Sequence, residues 1–314
     1  MSQAKESEEN KRESTVKICN RNLSELKGDV LYHLALSTAT DDLAAMFGDV
    51  KFVCMGGTPQ RMETFAYYLT NELGLKPPLG LKLEDLGAKS HRFALYKVGP
   101  ILSVSHGMGM PSVSILLHEM IKLVHYAKCQ DPIFIRIGTS GGIGLEPGTV
   151  VVSDEGINCF LKACHEFVVL GKKVERPSIF SKEVSHGLLE CSESTDDFKV
   201  ELGKTLATDD FYEGQGRTDG AICEYTEDEK FEFLKKVHAL GVRNIEMEAT
   251  VLAALTNYTG IKAADVCVTL LDRLNGDQVT TPKEQLLDWQ MRPQKIVGRY
   301  IKKTLQEMGL LPQM

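Results

Sequence analysis

Three short stretches that read as glycine-rich turns are the first places where this chain could grip an anion: MGGTPQR at 55–61, SHGMGMPS at 105–112 and RIGTSGGIG at 136–144. Each follows an apolar, β-branched run, and glycine lets successive backbone N–H groups approach an oxyanion closely. Two of the segments carry an arginine, Arg61 and Arg136. Arg136 interrupts the otherwise apolar run IFIRI. A buried guanidinium requires a partner, and a bound oxyanion or a buried carboxylate would each serve. Arg61 falls on an expected helix, where a solvated face is the alternative. Further along, DFYEGQGR at 210–217 packs an aromatic, an amide and a guanidinium into one turn-rich stretch. Gln215 offers a donor and an acceptor, Arg217 fixed donors and Phe211 a face for stacking, which suits a heterocyclic base as well as it suits a polar surface loop. In NIEMEATVLAAL, Glu246 and Glu248 stand where a strand gives way to an apolar helix. A carboxylate there can be held by helix N–H groups and still accept vicinal hydroxyls, or it can simply cap the helix. His33, in VLYHLAL, and His106 read as packing residues.

Several chemistries are excluded by pattern. Neither GMGMPS nor GTSGGIG is a dinucleotide fingerprint, because the first lacks its third glycine and the second is expected to lead into a strand. There is no GxxxxGK[ST], no HExxH and no Ser/His/Asp elbow. The anion is therefore expected to be small and free rather than a nucleotide tail. The eight cysteines are scattered with no CxxC pair, so neither a disulfide framework nor a zinc site is expected. Cys54 and Cys267, in apolar runs, read as buried thiols of a reduced, cytoplasmic protein.

The elements that must position these residues follow from composition and periodicity. With 314 residues, 43% hydrophobic and 25% charged, the chain has an ordinary globular balance and ample material for a core. Its net charge of −7 argues against a nucleic-acid coat. No apolar run approaches the ~20 residues that span a bilayer, so no membrane partner is expected. The polar start, without an apolar leader, reads as a disordered tail over 1–20, leaving 21–314 as one domain. Strands are expected at 50–55, 93–98, 101–105, 133–137, 149–153, 200–207, 242–247 and 262–270. Helices are expected at 59–73, from Pro111 onward, and at 181–193, 226–240, 248–259 and 283–308. This alternation predicts an α/β fold: a single domain with a mixed, largely parallel central sheet flanked by helices. The stretches 74–90 and 272–282 are loop-rich, and loops of that length are often functional.

Taken together, VLYHLAL, FGDVKFVCMGGTPQRM, YKVGPILSVSHGMGMPS, IRIGTSGGIGLEPGTVV, DFYEGQGR, NIEMEATVLAAL and VCVTLLDRLNGDQ resemble the uridine phosphorylases of animal type, within the nucleoside phosphorylase-I family. The resembling pieces span about 30–300. The resemblance implies a nucleoside phosphorylase-like domain, a homodimer whose active site is shared between subunits, and reversible cleavage of uridine by phosphate to uracil and ribose 1-phosphate. Deoxyuridine would be a weaker substrate. Inorganic phosphate would be a co-substrate, with no metal or other cofactor. It implies that Gly57, Arg61, Arg136 and Thr139 hold phosphate, joined by Arg92 from the neighbouring subunit. Thr139, Met247 and Glu248 would hold ribose, with His33 reaching its 5′-hydroxyl from the neighbour. Ser140 and Gly141 would line the base side, Phe211, Gln215 and Arg217 would recognise uracil, and Arg273 would assist at its oxygen edge. Arg136, Glu248, Gln215 and Arg217 would carry catalysis. Two features depart from the pattern. GAKSHRFALY around Arg92 is unusual for the family, and Asp272 stands where purine-specific relatives keep an acid. A purine or methylthioadenosine-type nucleoside cleaving enzyme and an inactive binding or storage relative are the competing expectations.

Overall fold

The computed structural model describes residues 13–75 and 82–312. In chain order, strands β1 (Val30–Leu31) and β2 (Leu36–Ser37) form a small hairpin around His33, and a short helix α1 (Leu43–Phe47) leads to β3 (Phe52–Gly56) and α2 (Pro59–Glu72). Then come β4 (Leu95–Val98), β5 (Ile101–Ser105), α3 (Gly109–Tyr126), β6 (Ile133–Gly142) and β7 (Val150–Ile157). A hairpin of β8 (Cys164–Val169) and β9 (Lys172–Pro177) precedes α4 (Lys182–Leu189) and β10 (Val200–Ala207). The chain continues through α5 (Glu227–Ala239), β11 (Val242–Glu246), α6 (Ala249–Tyr258), β12 (Lys262–Asp272) and α7 (Lys283–Glu307). No helix among the described residues is long and apolar enough to cross a membrane.

The main sheet has eight strands in the order β11-β10-β7-β12-β6-β3-β5-β4. Five of its pairings are parallel and three antiparallel, the mixed and largely parallel sheet expected. β3 and β5 are buried along their whole length, which is why they read as continuous apolar runs rather than alternating ones. Alternate residues feed two cores. Val53 and Met55 join α3 and α6 on one face, while Phe52 and Cys54 join α2, α4 and α7 on the other.

Two expectations are corrected. The glycine-rich stretch after IFIRI is not a turn, because β6 continues through Gly142. Its far end bends to pair Gly141 with Ile245 and Gly142 with Asn244 of β11. The strands β6, β12, β7, β10 and β11 thereby close into a ring. Glycine is required there by close approach: a Cβ on Gly141 would lie 2.9 Å from Arg273 Cγ, and one on Gly138 2.7 Å from Arg136 Nη1. The second correction concerns the tail expected up to Asn20. Residues 1–12 lie outside the described residues, but Val16 is buried in the core, and Lys17 N donates to Thr259 O at 3.1 Å. An apolar side chain with a place to dock outweighs the polar composition around it.

Candidate active site

The carboxyl ends of β3, β5, β6, β10 and β11 converge, the usual position of a site in an open α/β sheet. There they enclose a cavity of about 280 Å³. Of the residues expected at the site, Gly57, Arg61, Arg136, Thr139, Ser140, Gly141, Phe211, Gln215, Arg217, Met247 and Glu248 all line it.

One end is cationic. Thr58 caps α2 by accepting from Arg61 N at 3.2 Å, which aims the first turn of that helix at the cavity. The Arg61 guanidinium donates to Gln290 Oε1 of α7 through Nε (3.2 Å) and Nη2 (3.0 Å). Burial, then the nearby Arg136, push its pKa down. Two like charges held this close are relieved by an anion between them. Arg136 is deeply buried and its partners are now explicit. Nη1 lies 2.8 Å from Asp265 Oδ1 and 3.0 Å from Glu246 Oε2, Nη2 pairs with Glu248, and Nε donates to His106 Nε2 at 3.3 Å. The buried carboxylate partner left open by the sequence is thus present, while Nη2, with one hydrogen bond and two N–H groups, keeps capacity toward the cavity.

Glu248 heads α6 and its Oε1 accepts from Gly109 N at 2.6 Å. Burial alone would raise its carboxyl pKa, but Arg136 and the Gly109 N–H outweigh burial and hold it below the usual range. Glu246, two residues earlier, takes the N–H groups of Glu248 (2.8 Å) and Ala249 (3.0 Å). Its burial, with Asp265 and Glu248 alongside, pushes its pKa well up. The neighbouring acids are driven apart, leaving Glu248 as the ionised one.

His106 is buried, and burial followed by repulsion from Arg136 lowers its pKa from 6.5 to about 3. It is a neutral ring accepting from a guanidinium, which sequence reasoning had set aside as packing. An unfolded imidazole titrates near 6.5, so acid favours the unfolded chain between that value and about 3. The stability tied to His106 is intact above pH 6.5 and falls by up to about 1.4 kcal/mol per unit on acidification. His106→Asn is expected to flatten the urea-midpoint profile between pH 6.5 and 5; an unaltered slope would contradict the neutral assignment.

The other end suits a planar base. Gln215 is buried at the close of a 3-10 turn, and Gly216 follows with φ 64°. Arg217 stacks its guanidinium 4.2 Å from the Phe211 ring centroid and donates through Nη1 to Asp277 O at 2.7 Å. Leu270, Leu271 and Val279 complete an apolar wall. Arg273 does not line the cavity as expected. It is fully buried behind the wall, where Nη2 donates to Gln215 O at 2.9 Å. Asp272 is a turn builder: Oδ1 accepts from Gly144 N (2.9 Å) and Leu274 N (3.1 Å), and Oδ2 from Asn275 Nδ2 (2.8 Å).

His33 and Arg92 lie away from the cavity of their own chain. Distant in sequence, they share one surface, since the His33 ring centroid is 6.0 Å from that of Phe93, next to the exposed Arg92. His33 is held by Glu119 of α3, whose Oε1 is 2.7 Å from Nδ1. Sequence reasoning missed Glu119, Gln290, Asp265 and Asp277. Only Asp265 carried a signal: it is a lone acid in the apolar run of β12, and its register partner on β6 is Arg136.

Residues 51–302 match the family described as the phosphorylase superfamily. Uridine phosphorylase 1 of Mus musculus is 51% identical over 303 residues, covering 96% of this chain and 97% of its own length. Inactive uridine phosphorylase B of Schistosoma mansoni is 41% identical, covering 91% of this chain and 96% of its own. The crystal structure of uridine phosphorylase from Schistosoma mansoni in complex with thymidine superposes with a TM-score of 0.88 at 42% identity, covering 94% of this chain and 100% of that one. The chain belongs to the phosphorylase superfamily, among its uridine phosphorylases.

Proposed function

We propose that this protein is a pentosyltransferase that cleaves uridine reversibly with inorganic phosphate, giving uracil and ribose 1-phosphate, and acts more weakly on deoxyuridine. The observation that carries the reading is one cavity with two arginines and glycine-rich backbone at one end, the Phe211, Gln215 and Arg217 set at the other, and ionised Glu248 between them. Phosphate held by Gly57, Arg61, Arg136 and Thr139 attacks the anomeric carbon as the glycosidic bond breaks. Positive charge develops on the sugar, where phosphate and Glu248 oppose it, with Met247 against the ribose. Negative charge develops on the departing base, where Gln215 and Arg217 donate. Interactions that strengthen as charge develops are those that accelerate the reaction. Ser140 and Gly141 wall the base, and Arg273 serves it by fixing the Gln215 backbone.

The enzyme works as a homodimer with a shared site. The reading is supported by His33 and Arg92 lying together on an outer face, where a neighbour could receive both: His33 toward the ribose 5′-hydroxyl, Arg92 toward phosphate. No cofactor enters the reaction, since charge placement alone drives it. A place in the cytoplasm, in pyrimidine salvage and uridine catabolism, agrees with the eight unpaired cysteines. Arg61, Arg136, Glu248, Gln215 and Arg217, gathered on one cavity, favour an active enzyme. The purine reading loses its support because Asp272 is bound up in its own turn.

Release of the free base measured with and without phosphate, over uridine, deoxyuridine, thymidine and inosine, tests the proposal. Phosphate-dependent release from uridine, exceeding that from inosine, is expected. No release at saturating phosphate, or a preference for inosine, overturns it.

A further inference from the structure

The loop after β12 carries an acid that the proposed reaction does not use. Asp277 is buried and does not line the cavity. Its Oδ1 accepts from Arg273 Nε at 3.1 Å. Its Oδ2 accepts from Thr218 N (3.0 Å), Thr218 Oγ1 (3.2 Å) and Lys230 Nζ of α5 (3.0 Å). Its own carbonyl accepts from Arg217 Nη1, and Arg273 carries the contact on to the carbonyl of Gln215. One residue therefore meets the Arg217 side chain through its main-chain carbonyl, the neighbouring Thr218 through its carboxylate, and the Gln215 main chain through Arg273. A second tie joins the same two loops, as Gln278 Nε2 donates to Asp219.

We propose that Asp277 is the positioning residue of base recognition, clamping the 210–218 loop against the 272–282 loop so that Gln215 and Arg217 present fixed donors to the pyrimidine edge. This rests on the uridine reading above. Charge supports it. Arg217, Arg273 and Lys230 are all buried, and Asp277 is the acid bonded to Arg273 and Lys230. Burial would raise its carboxyl pKa, but the Thr218 N–H, Lys230 and Arg273 hold it down, so it stays ionised. The carboxylate holds Arg273 and Lys230, the latter also 3.6 Å from Glu227, and Arg217 is the one of the three cations that lines the cavity. Arg217 Nε and Arg273 Nη1 are buried without a hydrogen-bond partner among the described residues. A clamp of this kind keeps the cations from relaxing toward solvent, so their field is already in place when charge reaches the leaving group.

The test uses the full-length protein in the direction of uridine synthesis, varying uracil and ribose 1-phosphate separately. In Asp277→Asn the KM for uracil is expected to rise roughly 10²-fold, the scale of an ångström-sized misplacement, while the KM for ribose 1-phosphate stays within about twofold. A merely structural role would lower the melting temperature and the active fraction without splitting the two KM values. Should D277N fail to fold, the double variant D277N/K230Q removes the acid together with a cation it neutralises and is read in the same way. A wild-type KM for uracil in whichever variant folds, or a parallel rise in both KM values, overturns the proposal. Wild-type protein that makes no uridine at all would instead sink the function on which the proposal rests.

Discussion

Replacing Arg136 with methionine is expected to abolish uridine cleavage and to destabilise the fold together. Three buried acids, Glu246, Glu248 and Asp265, converge on this guanidinium, with Glu248 ionised against it. Removing one partner of a buried ion pair typically costs about 3–5 kcal/mol, because the charges left behind can neither reach water nor find a counter-ion. Activity should fall further than stability, by roughly 10³-fold or more, since the arginine proposed to hold phosphate goes and Glu248 loses the ion pair that keeps it ionised. The loss carries a pH signature. Without Arg136 the buried Glu248 takes up a proton more readily, so the deficit of the variant relative to wild type should shrink as pH falls from 7 toward 5. Urea midpoints at several pH values, alongside uracil release, measure both effects. A deficit that widens on acidification would contradict the pairing. Arg136→Lys keeps the charge but not the fork, and should recover stability better than activity.

Arg217→Ala is the second large effect. The change removes the donor proposed for the leaving group, together with the cation stacked on Phe211 and the anchor on the Asp277 carbonyl. Loss of one well-placed donor to developing charge costs roughly 3–4 kcal/mol, about 10²–10³ in turnover. The loss should fall on kcat with uridine and leave the KM for phosphate close to wild type, because the phosphate end is built from other strands. Unchanged turnover would remove the assigned base site. Lysine should rescue little, since it can neither stack as a plane nor donate from two directions.

How much of this was legible in the sequence depended on whether the signal was local. Short apolar strands and the 3.6-residue stripes of the helices placed most elements within a few residues, including α2 and the terminal α7. Glycine was misread where it mattered most. In β6 it permits side chains to approach the backbone instead of turning the chain, and local pattern alone cannot distinguish the two. The β8–β9 hairpin was not anticipated because its turn is Leu170-Gly171, both at positive φ, and leucine is a poor advertisement for that conformation. The site's polar support was hidden for a different reason. Gln290 reaches Arg61 across 229 positions and Glu119 reaches His33 across 86, so only the folded chain brings them together. Catalytic residue types announce themselves by their oddity in an apolar run, whereas the groups that orient them look like ordinary surface polarity until they are seen in place.

The bend of β6 onto β11 has one more effect, on how the protein behaves in a crowded solution. A row of unpaired N–H and C=O groups along a boundary strand is a template for accretion by other chains. Here β11, last in the order at one side, is taken up by Gly141 and Gly142. At the opposite side β4 is only four residues long, carries Lys97 and is itself covered: Leu86 N donates to Leu95 O at 2.7 Å, and Asp85 Oδ1 accepts from Leu95 N at 2.9 Å. Glycines that look like a concession to catalysis thus also guard against aggregation, and bulky replacements there should show up as precipitation as well as lost turnover.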